Sequence, residues 1–209
     1  MVDKLVSEAE MLRIVVNKMD NSFNLVRQIP LEKLRGLERS KKTVKDLNVG
    51  SVLKYLGDTY LVTDKYSYYE NKKDIIEGQE FQITDVITGD IKYLEYSEDD
   101  TVEIFMTTRE VSTKEIAQSL PDTNHKFIRD EVKDFTLRTN RTSYYYDDDW
   151  KSRFVRFGKD LSEAEVVRMV EFESEDEMEY LTFEYWEDES MEVFISHEIK
   201  SYELEILSL

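Results

Sequence analysis

Two short acidic runs, each next to a tryptophan, contain the residue types in this sequence that could do chemistry. The run Asp147-Asp148-Asp149 ends at Trp150, and Trp186 begins the run Glu187-Asp188-Glu189. Clustered carboxylates are hard oxygen ligands for calcium or magnesium. Neither run has the alternating ligand positions and central glycine of a calcium loop, which favours solvated turns. We therefore predict no metal site and no cofactor.

The same residues fit a protein-binding surface better. An aromatic anchor rimmed by carboxylates is typical of an interface with a basic partner. We therefore take both tryptophans and the six acids beside them as a candidate protein-interaction surface. The alternative that both tryptophans are core residues at strand ends stays open.

Catalytic motifs are missing from the sequence. There is no cysteine, and the two histidines, His125 and His197, are far apart and have no metal-binding spacing. Nucleophile elbows and glycine-rich phosphate loops are also absent. These features predict a non-enzymatic protein without catalytic residues, with a metal-dependent hydrolase using one of the acidic runs as a minor alternative.

The charge limits the possible partners. The net charge is −18, and residues 171–209 hold fourteen carboxylates against one lysine. Such a chain repels the phosphates of nucleic acids and anionic lipids, because both bind through cationic side chains. We expect no direct nucleic-acid binding and instead a protein partner with a basic surface. Alternatively, the acids serve solubility alone, or form a decoy that mimics nucleic acid on a basic partner.

An internal repeat predicts most of the fold. Residues 93–107 and 180–196 each contain an aromatic strand, an acidic turn and a second strand. In that second strand apolar residues alternate, as a half-buried strand requires. They are Val102, Ile104 and Met106 in the first copy and Met191, Val193 and Ile195 in the second. The repeat predicts two related antiparallel β modules, each a meander or a partly open barrel.

The start of the chain has a different pattern. Apolar residues from Leu5 to Met19 recur at helical spacing, and residues 1–42 carry a charge of +3. We predict an α+β, mainly β protein with a helical arm over residues 1–42 and β modules over 43–120 and 121–209, which could share one core. No apolar run has the length of a membrane span. We expect a cytoplasmic protein, peripheral to the membrane only through a partner.

Two patterns resemble a known bacterial family. The first is Leu47-x-Val49-Gly50-x-Val52-Leu53-x-Tyr55-x-Gly57-x-x-Tyr60-x-Val62. The second is Leu181-x-x-Glu184-x-Trp186-Glu187-Asp188-x-x-Met191-Glu192-Val193-Phe194. Over about residues 44–209 the chain resembles the family called domain of unknown function 4178. The resemblance implies a compact β-rich fold, no known catalytic residues and, by gene neighbourhood in the family, an association with bacterial membrane-stress systems built around phage-shock-protein-A-like proteins. We predict a binding or adaptor protein that acts in such a system through protein contacts.

Overall fold

A computed structural model of the protein describes residues 38–98, 101–116, 136–139, 142–188 and 190–207. Eleven strands make up most of these residues. They are β1 Val52–Tyr55, β2 Asp58–Glu70, β3 Ile76–Asp85, β4 Ile91–Glu98, β5 Val102–Glu110, β6 Thr136–Arg138, β7 Ser143–Arg156, β8 Glu165–Ser174, β9 Tyr180–Trp186, β10 Met191–Glu198 and β11 Leu204–Leu207. The helical elements are an α-helix at Thr113–Ile116 and 3-10 turns at Val44–Asp46, Leu161–Glu163 and Ser201–Glu203. Within these ranges no helix has the length and apolar character needed to cross a membrane.

The strands form one antiparallel sheet that closes on itself. Their order is β11-β1-β2-β3-β4-β5-β10-β9-β8-β7-β6, and β2 also pairs with β7. This last pairing joins the end of β2 to the end of β7, at Tyr66–Glu70 and Ser152–Arg156. It closes the eight strands from β2 around to β7 into a barrel.

The lengths of β2 and β7 make closure possible. They contain 13 and 14 residues, about twice the usual strand length. The first residues of β2 pair with β1 and its last residues pair with β7. A tight turn joins β1 to β2, with Leu56 and Gly57 at φ angles of 50° and 95°, which match the backbone twist that a hairpin needs.

Apolar side chains pack on the outer face of the barrel wall. One cluster lies on β2 to β5 and is covered by β1, β11 and the 3-10 turn at Val44–Asp46; its members include Phe81, Ile83 and Leu94, all 0% exposed. A second cluster lies on β8 to β10 with Ile116 of the helix and Leu137 of β6. Because neighbouring residues of a strand point to opposite faces, the residues between these positions line the barrel interior, which we call the lumen.

The predicted fold class is wrong in two respects. The described residues are nearly all β, and the two predicted modules contribute to one closed barrel rather than to separate meanders or open barrels. Residues 1–37 of the predicted helical arm lie outside the described residues. Its described end is not helical, since Arg39 pairs with Leu207 and the amide of Ser40 donates a 2.6 Å hydrogen bond to the carbonyl of Ile206. Backbone pairing with β11 replaces helical hydrogen bonds there.

Candidate binding site in the barrel lumen

Four glutamates project into the lumen from four strands. They are Glu80 of β3, Glu95 of β4, Glu171 of β8 and Glu184 of β9. Each alternates with apolar neighbours of the outer face, as Glu80 does with Phe81 and Glu184 with Phe183. Across the sheet, Glu80 lies opposite Glu95, so two of these carboxyl groups are direct cross-strand neighbours.

The first cavity opens at one end of the barrel. It has a volume of about 600 Å³ and is lined by residues of all eight barrel strands and of the adjoining turns. Its carboxylates are Glu80, Glu95, Glu163, Glu165, Glu184, Asp188 and Glu192. Its aromatic wall consists of Tyr66, Tyr68, Tyr93, Phe154, Trp186 and Phe194. Two cations also line it, but Arg156 is paired with Asp64 and Lys159 with Glu163.

The second cavity occupies the other end and has a volume of about 530 Å³. Six glutamates line it, and the lining residues include no lysine, arginine or histidine. The six are Glu70, Glu77, Glu95, Glu98, Glu103 and Glu171. Trp150, Phe105 and Met169 supply apolar surface. Tyr68 and Glu95 line both cavities and so stand between them.

Glu184 is buried in the lumen without a compensating charge from the described part of the chain. Its residue is 7% exposed, and its side chain has no hydrogen bond or ion pair with any described residue. Burial, reinforced by the nearby charges of Glu95 and Glu192, raises the pKa of Glu184 to about 8. A buried carboxylate is costly unless a donor or cation neutralises it. This side chain therefore lacks a partner that a bound cation would supply.

The other three lumen glutamates also have raised pKa values and no cationic partner among the described residues. Burial raises the pKa of Glu95 to about 7 and the pKa of Glu171 to about 8. The pKa of Glu80 lies well above its usual value because of burial and the charges of Glu95 and Glu184. Two hydroxyl groups donate to these acids, Tyr68 to Glu80 at 3.3 Å and Thr182 to Glu171 at 3.2 Å. Within the described residues no cationic side chain pairs with any of the four.

Aromatic rings surround the entrance of the first cavity. Trp186 meets Phe154 edge to face with ring centroids 5.0 Å apart. Phe154 in turn stacks on Tyr66 at 5.0 Å and contacts Tyr68 at 5.4 Å. Aromatic faces next to carboxylates form the environment in which proteins hold organic cations, through cation–π attraction together with ion pairing.

The structure separates the residues that the sequence grouped as one interaction surface. Trp186 and Asp188 line the first cavity, whereas Trp150 lines the second. Both tryptophans are half-buried. Asp147, Asp148 and Glu187 are exposed, with Asp148 opposite Glu171 in the pairing of β7 with β8, and Asp149 forms an ion pair with Arg168. Glu189 lies outside the described residues.

Sequence reasoning missed the four lumen glutamates. A signal was present in the repeat, because Glu95 lies seven residues before Val102 and Glu184 lies seven residues before Met191. Each is followed by a tyrosine, Tyr96 or Tyr185. An acid held at one position of both copies indicates a role in the interior that the two copies share.

The arrangement of the acids suits an extended ligand rather than a metal ion. Among the described residues, no three histidine, aspartate or glutamate side chains converge on a point that could hold a metal. The carboxylates are instead distributed around the wall and along the axis. An eight-stranded barrel is wide enough to hold one small ligand, and this one offers that ligand negative charge and aromatic faces.

Comparison with known proteins gives one match. A family model described as domain of unknown function (DUF4178) matches residues 48–201, which include β1 to β10. No curated protein and no solved structure matches the chain.

Proposed function

The chain belongs to the DUF4178 family, and we propose that it is a non-enzymatic binding protein whose barrel lumen takes an organic cation. The observation that carries the proposal is Glu184, a carboxylate more than nine-tenths buried that points into a cavity of about 600 Å³ without a partner among the described residues. A bound ammonium or related group would neutralise it and contact the nearby aromatic rings.

The electrostatics of the lumen support this class of ligand. Its acids repel anions when they ionise, and a purely apolar guest would leave the glutamates of both cavities without partners. An inorganic cation would need ligands gathered at one point. An organic cation has both a charge for the acids and carbon surface for the aromatic wall.

Calorimetric titration tests the proposal. The probes are n-hexylamine and 1,6-diaminohexane, titrated at pH 8 and low salt into the wild-type protein, Glu184→Gln and Glu175→Gln. Glu175 makes the matched control because it is an exposed glutamate in the turn between β8 and β9. We expect binding by the wild type and Glu175→Gln, and a loss of about tenfold or more in Glu184→Gln. Binding of neither amine to any of the three proteins would overturn the proposal.

A second proposal follows from the exposed acids. Asp147, Asp148, Glu187 and Asp188 are exposed, which supports contact with a basic protein partner. The proposed role is that of a cytoplasmic adaptor in a bacterial membrane-stress system, the setting that the family resemblance implies. Electrostatic steering onto the partner would be followed by anchoring at Trp186. A pull-down from bacterial lysate at two salt concentrations, with Trp186→Ala alongside, tests it. A salt-sensitive membrane-stress component supports the adaptor, whereas a nuclease or DNA-binding protein favours the acidic decoy.

A further inference from the structure

The lumen face of β8 has an acid at each end and apolar residues between them, while Glu95 of β4 lies between the two cavities. On the lumen face of β8 the residues read Glu165, Val167, Met169 and Glu171. Glu165 lines the first cavity and Glu171 the second. Val167 and Met169 are 0% and 7% exposed and pack with Tyr68, Trp150, Phe154 and Trp186. Along this strand the wall is therefore acidic at both ends and apolar between them.

The pairing of β8 with β9 gives the distance between Glu184 and Glu171. Glu184 lies opposite Met169, and Thr182 lies opposite Glu171. Glu184 and Glu171 are therefore diagonal neighbours on the lumen face, with Cα atoms about 7–8 Å apart. A spacer of about four to six methylene groups covers such a separation, and Met169 and Tyr68 lie where the spacer would run.

A single charge cannot satisfy both cavities. The first cavity contains Glu184 and the second contains Glu171, and neither is paired with a cationic side chain of the described residues. A monocation placed beside one would leave the other without a cation, so that this second carboxyl group would keep its proton and contribute no ion pair. A ligand with two charges and an apolar middle brings one cation to each cavity and contacts the apolar surface of Met169 and Tyr68.

Resting on the proposed function, we infer that the ligand is a linear aliphatic di- or polyamine that spans both cavities, with one ammonium group beside Glu184, another beside Glu171 and its methylene chain against Tyr68 and Met169. Its aliphatic middle replaces water on this apolar surface, and each ammonium group forms a charge-assisted hydrogen bond with a carboxylate. Length and charge spacing then select the ligand.

Affinity measurements with amines of equal length test the inference. We expect 1,6-diaminohexane to bind at least tenfold more tightly than n-hexylamine. Glu171→Gln should remove most of that advantage and leave n-hexylamine binding within about twofold, while Glu184→Gln should weaken both amines. Glu175→Gln serves as the control for a neutralised glutamate, and thermal unfolding of each variant checks that the barrel is intact.

The two tryptophans supply a second readout, because the chain has only two and each lines a different cavity. In Trp150→Phe the fluorescence reports the first cavity, and in Trp186→Phe it reports the second. We expect the diamine to change the emission of both single-tryptophan proteins, and the monoamine to change that of Trp150→Phe alone.

The outcomes separate the two proposals. If the monoamine binds as tightly as the diamine, or if Glu171→Gln leaves the diamine advantage unchanged, the linear polyamine is wrong while an organic-cation site at Glu184 stands. If no amine binds although every variant is folded, the organic-cation site itself is wrong and the inference falls with it.

Discussion

The two faces of the barrel wall are built from opposite kinds of residue. On the outer face, Phe81, Leu94, Phe172 and Phe183 are fully buried under flanking segments of the chain. On the inner face, glutamates and tyrosines surround two cavities. Small barrels usually fill their interior with side chains or use it for one ligand.

This difference assigns stability and function to separate faces. Apolar burial is the main source of folding free energy, and here much of it lies outside the closed sheet. The lumen instead contains buried carboxyl groups, which oppose folding when they ionise. A protein keeps such groups where they serve binding, and the loss of stability is offset by the outer clusters.

The largest expected effect concerns the outer face. Phe183→Ala should lower the free energy of unfolding by about 3–4 kcal/mol, because Phe183 is 0% exposed and packs against Phe172 with ring centroids 5.7 Å apart. Phe194→Ala removes the same atoms from the lumen face, where the ring is half-buried beside Tyr93, and should cost less than half as much. Urea unfolding measures both. Equal losses would mean that the two faces contribute alike to stability.

Glu184→Gln should raise the free energy of unfolding, whereas Phe183→Ala lowers it. The amide carries no charge, so above pH 8 the variant should be more stable than the wild type by on the order of 1–3 kcal/mol, even as it loses amine binding. Glu175→Gln, the exposed control, should leave both quantities nearly unchanged. Destabilisation by Glu184→Gln at pH 9 would show that the carboxylate has a stabilising partner in the folded protein.

The pH dependence of the wild type follows from the same groups. Glu95, with a pKa of about 7, and Glu171 and Glu184, with values of about 8, keep protons in the folded state that the unfolded chain loses near pH 4.3. The folded state binds more protons across this interval, so the free energy of unfolding should fall as the pH rises from about 4.5 to 8. Denaturation at a series of pH values measures the slope.

Amine binding should depend on pH in the opposite direction, because ionised carboxylates attract the ligand. Affinity should rise between pH 6 and 9, and binding near pH 7 should release protons. Titration in two buffers of different ionisation enthalpy counts those protons. Release of none would mean that the lumen acids are already ionised in the free protein.

Alternation in the sequence predicted strands well but could not say which face would be internal. Six alternating apolar residues were expected on a buried face, and four of them, Ile104, Met106, Val193 and Ile195, are buried. Met191 is half-buried, and Val102 is 53% exposed. The four buried residues lie on the outer face of the wall, where flanking segments of the chain cover them. Alternation alone assigns Glu95 and Glu184 to the opposite face, which in an open sheet would be solvent. An open sheet and a closed barrel give the same alternation in the sequence, and only closure makes this face the interior of the barrel.

Closure itself has no local signal. It depends on Tyr68 of β2 pairing with Phe154 of β7, residues far apart in the chain, whereas turns and alternation report on neighbours only. The alternation within each copy of the repeat, in contrast, is a local pattern and was found. The acidic runs were chosen as candidates because their acids are consecutive in the sequence. The lumen glutamates were missed because each is a single acid within a strand.

The smallest effect should come from an acid outside the lumen. Asp147 is exposed on β7 and raises the pKa of Glu171 only as a minor neighbouring charge. Asp147→Asn should therefore change the free energy of unfolding by less than about 0.5 kcal/mol. Because the substitution leaves Glu171 itself in place, the affinity for the diamine should stay within about twofold of the wild-type value at pH 8. A large loss of affinity would place the ligand on the acidic outer surface, and binding there would remove the functional difference between the two faces.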